Sequence, residues 1–181
     1  MLIFANMHIH TNRLILIPFT LAITKLLLAG DTRILAKLNL NQTPFWPDQE
    51  AIDTFPKIIT NLELVQEPSG FESYIVVHRN SMTVIGDGGF KGLPNADGEI
   101  DIGYAIIAQA QKNGYGSEVA QGLVSWAFQQ PGVKAITARC LLDNKPSARV
   151  LEKLGMEQVS TDEKLIRWKM LNPNIQASIS S

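Results

Sequence analysis

Residues 100–117, reading IDIGYAIIAQAQKNGYGS, constrain this fold more than any other stretch of the chain. A run with strand character passes through a short linker into Gln111-Lys112-Asn113-Gly114-Tyr115-Gly116, and a helical pattern starts at once. A strand that feeds a glycine-rich helix start aims the positive end of that helix at whatever lies beyond the strand. The successive N–H groups of such a turn form a cradle for an anion, of the kind that holds a pyrophosphate. The rest of the chain decides which pyrophosphate.

Residues 13–17 read as a strand closed by Pro18, followed by two short helices over 20–29 and 32–38 with Gly30-Asp31 between them. Pro44-Phe45-Trp46-Pro47 makes a rigid aromatic loop, and Asp48 stands where it can cap a longer helix running towards residue 65. Pro56 is expected to kink or break that helix. The texture changes at Glu67-Pro68-Ser69-Gly70. Residues 74–78 and 82–90 are strand-like, separated by the turn signal Arg79-Asn80-Ser81, and a further turn over 92–98 leads to a strand over 99–108. These three strands are expected to form an antiparallel meander. The helix over 114–129 places Tyr115, Val119, Leu123 and Ala127 on one stripe, and Pro131-Gly132 stops it. A strand over 134–142, a short helix over 146–154 ended by Gly155, and a final strand over 164–171 complete the order. The helix after the cradle joins two strands, so a βαβ crossover is expected. The sum is an α/β chain with a mixed sheet: a single domain over 1–171 and a polar C-terminal tail over 172–181.

Composition removes several classes. The chain has 181 residues and a formal net charge of −1, so no global basic field draws it to nucleic acid or to a membrane. One cysteine, Cys140, excludes an intramolecular disulfide and a Cys-rich metal site, and fits a reducing cytoplasm. His8 and His10 alternate without further ligands, so no metal is expected. The apolar N-terminus lacks a basic start and is interrupted by His8, His10, Asn12 and Arg13, which makes it a lead-in to the first strand rather than a signal peptide. Lys25 interrupts the best candidate for a membrane span.

Among nucleotide cradles, a P-loop needs GxxxxGK[ST], which this chain lacks. A Rossmann site needs GxGxxG or GxGxxA, and Val119 occupies the third position. The acidic residue at the next strand end, Asp143, follows Gly116 by roughly 27 residues instead of about 20. An NAD-dependent enzyme is therefore disfavoured. Gly86-Asp87-Gly88-Gly89 lies within strand texture and opens no helix. QxxGxG after a strand resembles the pyrophosphate motif of the GNAT family of N-acetyltransferases. Asp101-Ile102-Gly103-Tyr104 resembles the E-I-G-Y strand of its RimJ/RimL-type branch, with Asp for Glu. Gly114-Tyr115-Gly116-Ser117-Glu118 resembles its G-Y-[AG]-[ST]-E helix opening, and Thr11-Asn12-Arg13-Leu14-Ile15-Leu16 its T-x-R-L-x-L start. Asn144-Lys145-Pro146-Ser147, followed by residues 150–156, VLEKLGM, resembles N-x-x-S…VLEKLGF. The matches span residues 11–170.

The resemblance implies a GNAT fold: a mixed central sheet of six to seven strands, splayed at an acetyl-CoA notch, with helices on both faces. It implies acetyl transfer from acetyl-CoA to a primary amine, on a protein N-terminus or a small molecule, with coenzyme A as product. Backbone groups of Ile106, Ile107 and Ala108 would bond the pantetheine as an added strand does. Gln111, Lys112, Asn113, Gly114, Tyr115, Gly116 and Ser117 would wrap the pyrophosphate. Asn144 reads either as a helix N-cap or as a hydrogen-bond partner of the cofactor arm. Ser147 reads as a donor to the departing sulfur or as an ordinary first-turn serine. Leu151 stands where many GNAT enzymes carry a tyrosine acid. Asp101 is the expected base, through water, and Glu99 shares its face; both also read as solvated strand carboxylates. Trp46, Phe45 and Phe90 are candidate walls of the acceptor pocket, whereas Trp126 and Trp168 belong to the core. A non-catalytic acyl-CoA-binding or regulatory module on the same fold is the competing reading, and a homodimer is a candidate assembly.

Overall fold

The computed structural model describes residues 7–65 and 68–175. The start of the apolar lead-in and the end of the polar tail lie outside them. Eight strands form one sheet in the order β1-β2-β3-β4-β5-β6-β8-β7. They are β1 (Ile9–His10), β2 (Leu14–Pro18), β3 (Ser73–His78), β4 (Thr83–Phe90), β5 (Glu99–Ile106), β6 (Ala135–Leu141), β7 (Glu157–Thr161) and β8 (Leu165–Leu171). All neighbours are antiparallel except β5 and β6. The meander β3-β4-β5 and the crossover between β5 and β6 match the sequence expectation. The two strands beyond six come from places where pattern is weakest. β1 has only two residues. β7 is exposed along its whole length and joins because β8 offers it an open edge. An edge strand with no buried face carries no alternation to read.

The helices are α1 (Leu21–Leu28), α2 (Arg33–Lys37), α3 (Gln49–Leu64), α4 (Tyr115–Ala127) and α5 (Lys145–Lys153). Asp48 caps α3 by accepting from the Ala51 N–H at 3.0 Å. The helix runs unbroken through Pro56, against expectation, because Ala51, Phe55 and Ile58 are buried on one side of it and hold both halves down. Phe55 packs edge-on against Phe19 and Trp46, at 5.8 and 6.2 Å between ring centres. On α4, Val119, Leu123 and Ala127 are fully buried, as the stripe requires. In β3, residues 74–77 are all buried, as for a strand with both faces covered.

One feature of the sheet positions the site. β5 and β6 pair in parallel register only from Glu99↔Ala135 to Ile102↔Ala138, although β5 continues to Ile106 and β6 to Leu141. Beyond Ile102 the two strands part. Among the described residues no helix is long and apolar enough to cross a membrane, and no three His, Cys, Asp or Glu side chains group as a metal site.

Candidate active site

The open edge of β5 is the first part of the site. The Lys91 N–H donates to the Asp101 carbonyl at 2.9 Å and the Ile107 N–H to the Ile85 carbonyl at 3.0 Å. Odd-numbered residues of β5 therefore turn their backbone to β4, and by alternation Tyr104 and Ile106 turn theirs to the gap beside β6. Of the three residues expected to line the notch, Ile106 alone faces it, and its carbonyl already accepts from Gln111 Nε2 at 2.9 Å. Ile107 is bonded to β4 instead, and its side chain is buried. Ala108 begins a 3₁₀ turn, Ala108–Ala110, so the strand ends two residues earlier than the sequence suggests. At Gly86 and Gly88 β4 lies tight against β5: an added Cβ would fall 2.1 Å from the Ala105 carbonyl oxygen and 2.9 Å from the Gly103 carbonyl oxygen. That close approach explains the glycines around Asp87.

The cradle is built as its spacing implies. Gly114 takes a left-handed φ of 80° and precedes α4 without any side-chain cap. The Glu118 N–H donates to the Gly114 carbonyl at 3.1 Å, which leaves the N–H groups of Tyr115, Gly116 and Ser117 with no acceptor inside the helix. Lys112 also has a positive φ, 63°. Asn113 Nδ2 ties the loop from within, donating to the carbonyls of Ala110 and Gln111 at 3.1 and 3.0 Å. Arg13 clasps it from outside: Nε pairs with Glu118 at 2.7 Å, a terminal nitrogen donates to the Asn113 carbonyl at 3.0 Å, and the guanidinium lies 4.5 Å above the Tyr115 ring. Glu118 further accepts from Thr11 Oγ1 and the Arg13 N–H, both at 2.6 Å. Burial works against its charge, but these bonds outweigh burial and hold its carboxyl below the usual range. The T-x-R-L opening and the G-Y-G-S-E helix start are thus one clasp.

A cavity of about 330 Å³ passes through the parted sheet, from Asn144, Ser147 and Leu151 of α5 to Glu50, Thr54 and Ile58 of α3. Asn144 caps α5, accepting from the Ser147 N–H at 3.1 Å. Ser147 Oγ lies 3.4 Å from the Tyr104 hydroxyl, which the sequence reading had not singled out. Burial raises the Tyr104 pKa, against the Ser147 contact, so the phenol keeps its proton. Cys140 lines the same cavity, and its sulfur accepts from Trp168 Nε1 at 3.3 Å.

On the other side lies a carboxylate that no motif marks. Asp87 lines the cavity and accepts from Trp46 Nε1 at 2.9 Å. Burial pushes its pKa up to about 6, the Trp46 bond pulls against that, and Asp48 and Glu50 add to the rise. Trp46 itself is 2 % exposed. It is therefore no wall for an acceptor but the support of Asp87. Phe45 is the exposed member of that loop and is not part of the cavity wall, whereas Phe90 lines the cavity with its ring buried against Phe71 and Trp126.

The two expected bases lie elsewhere. Asp101 accepts from Lys91 Nζ at 3.0 Å and from Arg139 at 2.7 Å, both on Oδ2. Glu99 is paired with Lys169, and that bond first of all holds its pKa down. Neither lines the cavity, because both sit on the half of β5 that is still zipped to β6. The only sequence signal for Asp87 was an aspartate flanked by glycines inside a strand.

The sheet thus parts beside an uncapped helix start, with hydroxyls on one side of the gap and a buried carboxylate on the other. The sequence pattern of the Acetyltransferase (GNAT) domain matches residues 13–157, and the chain belongs to that family. The uncharacterized N-acetyltransferase YjdG of Bacillus subtilis is 33 % identical over 147 residues, 81 % of this chain and 88 % of that protein. YoaA of the same organism is 35 % identical over 101 residues, 56 % of each. With these relatives, the protein is an N-acetyltransferase. Solved structures share the fold: a GNAT acetyltransferase from Bacillus anthracis (TM-score 0.63, 19 % identity, covering 91 % of this chain and 98 % of that one). A ribosomal-protein alpha-N-acetyltransferase, RimL, in complex with coenzyme A has a TM-score of 0.65 at 18 % identity, covering 91 % and 97 %.

Proposed function

We propose that the protein transfers the acetyl group of acetyl-CoA to a primary amine by direct attack, with Asp87 as the base. The observation that carries this reading is Asp87 itself, a carboxylate with a pKa near 6 facing the same cavity as the Tyr104–Ser147 hydroxyl pair. The chain fits the cofactor at both ends. The backbone N–H groups at the start of α4 suit a pyrophosphate, with Lys112 alongside, and the open strand edge at Tyr104 and the Ile106 N–H suits the amides of pantetheine. Asn144 caps α5 where the cofactor arm would pass. The bound thioester supplies an activated acyl carbon.

The residues do the rest. An attacking amine must be neutral. An N-terminal α-amine, with a pKa of about 7.7–8.0, meets that need near pH 7 far better than a lysine at about 10.4. Asp87 is mostly ionised at pH 7, and its raised pKa makes it a stronger base than a free aspartate. It accepts the proton that the amine nitrogen loses as the N–C bond forms. The Ser147 and Tyr104 hydroxyls donate to the sulfur as the C–S bond breaks.

Thermal unfolding with saturating acetyl-CoA, against NADH as control, tests the cofactor. Ligand at 100 times its Kd adds about 2.7 kcal/mol of stability. Release of free thiol with a panel of primary amines tests the transfer. An unchanged melting temperature in folded protein, or equal rates for wild type and Asp87→Asn, overturns the reading.

A further inference from the structure

The acetyl cavity opens into a groove of about 780 Å³ that shares Ile58, Phe90, Lys91, Arg139 and Leu165 with it. The carboxylates Glu50 and Asp87 line the cavity, and Lys91 and Arg139 stand where it meets the groove. Among the described residues, the charged groups lining the groove are Lys57, Lys91 and Arg139, all positive. Lys91 and Arg139 converge on one oxygen of Asp101, at 3.0 and 2.7 Å, so two cations share one carboxylate. Both cations are almost half exposed, at 44 % and 43 % of their side-chain surface, and remain open to a second anion.

The spacing is set by β4 and β5. The Lys91 ammonium lies over Gly103, 3.8 Å from where a Cβ would stand there, and Asp87 sits opposite Ala105. Two residues along a strand separate those positions by about 7 Å. A ligand with its amine at Asp87 therefore carries a negative group into the reach of Lys91 and Arg139 if the group lies about two residue lengths away.

We infer that Lys91 and Arg139 form an anion-recognising subsite, and that the acceptor is an amine bearing a carboxylate or phosphate at that distance. A peptide N-terminus with an acidic second residue meets this description. The inference rests on the acetyl-transfer reading above and names its substrate class. Asp101 then positions the two cations and takes no part in proton transfer.

The test compares kcat/KM for three C-terminally amidated tripeptides, Ser-Asp-Ala, Ser-Asn-Ala and Ser-Lys-Ala, and for phosphoethanolamine against ethanolamine. The expected order is Asp above Asn above Lys, with at least about tenfold between Asp and Asn, carried by KM and weakened by salt. In Lys91→Gln/Arg139→Gln the Asp/Asn ratio falls to about one while the Kd for acetyl-CoA is unchanged. Arg139→Gln alone gives the same readout if the double variant loses cofactor binding. Asp101→Asn frees both cations and raises the ratio. A preference confined to phosphoethanolamine assigns the subsite to small anionic amines. A flat series in the wild type, or a ratio that survives in the double variant, overturns the subsite alone. Turnover on no amine overturns the acetyl-transfer reading instead.

Discussion

The two ends of the notch are built on opposite plans. The cradle end comes from one continuous stretch, Ile106 to Ser117, tied by its own side chains and clasped by Arg13 and Glu118. It offers backbone N–H groups. The acceptor end gathers single side chains from α3, β4, β5, β6 and β8, none adjacent in sequence to more than a few of the others. It offers charges and hydroxyls. The difference teaches what each end can vary. A backbone cradle tolerates change at side chains but not in its turns, whereas the acceptor end can be rewritten one side chain at a time.

Breaking one end should leave the other working. The largest expected effect is at Asp87. Asp87→Asn should lower kcat/KM by about 10²–10⁴, the usual worth of a general base, with the acetyl-CoA Kd unchanged. In the wild type kcat/KM should fall as pH drops through about 6, and the variant should lose that limb. The stability consequence has the opposite sign. A carboxyl with its folded pKa raised from 3.8 to about 6 favours the folded state when protonated. That contribution is present below about pH 4 and is lost as pH rises to about 6. Asp87→Asn should therefore raise Tm at pH 7 by a few degrees. An unchanged or lower Tm would mean that burial is not what raises this pKa.

Next in size is the cradle. Gly114→Ala, at φ 80°, should cost about 1–2 kcal/mol of stability and weaken acetyl-CoA binding about tenfold, with the acceptor preference intact. Calorimetric titration with acetyl-CoA checks it. A smaller effect sharpens the role of Trp46. Trp46→Phe removes the N–H donor that holds the Asp87 pKa down, so the acid limb of the pH profile should move up by about one unit, the equivalent of one hydrogen bond to a charged group. The smallest expected change is Tyr104→Phe. With Ser147 still present to donate to sulfur, kcat should fall only a few-fold, and a thiol-release assay that shows a hundredfold loss would move the acid role from Ser147 to Tyr104.

The same contrast explains what could be read in advance. The meander, the crossover helix, the Asp48 and Asn144 caps and the left-handed Gly114 all depend on neighbours within a few residues, and local spacing carries them. β7 was missed because an exposed edge has no apolar face to show. Asp101 is the base expected from sequence because its strand runs towards the acetyl site, and nothing in that strand says where β5 and β6 stop pairing. That point, just past Ile102 and Ala138, places Asp101 on the closed part of the sheet and leaves Asp87 facing the opening. Trp46, in a rigid aromatic loop, is a candidate pocket wall by sequence, and nothing local to the loop shows that the ring is buried. Its burial comes from Phe55, nine residues away on α3, and from Asp87 on another strand.

By itself, then, the sequence determined the anion cradle, the mixed sheet around it and the family, because glycine conformations, caps and strand periods are local physics. The tertiary structure decided which carboxylate is buried at the gap, which aromatic supports it and where two cations meet one acid. Those depend on desolvation and on side chains brought together from distant strands, and a raised pKa exists only once the chain has removed the water around it.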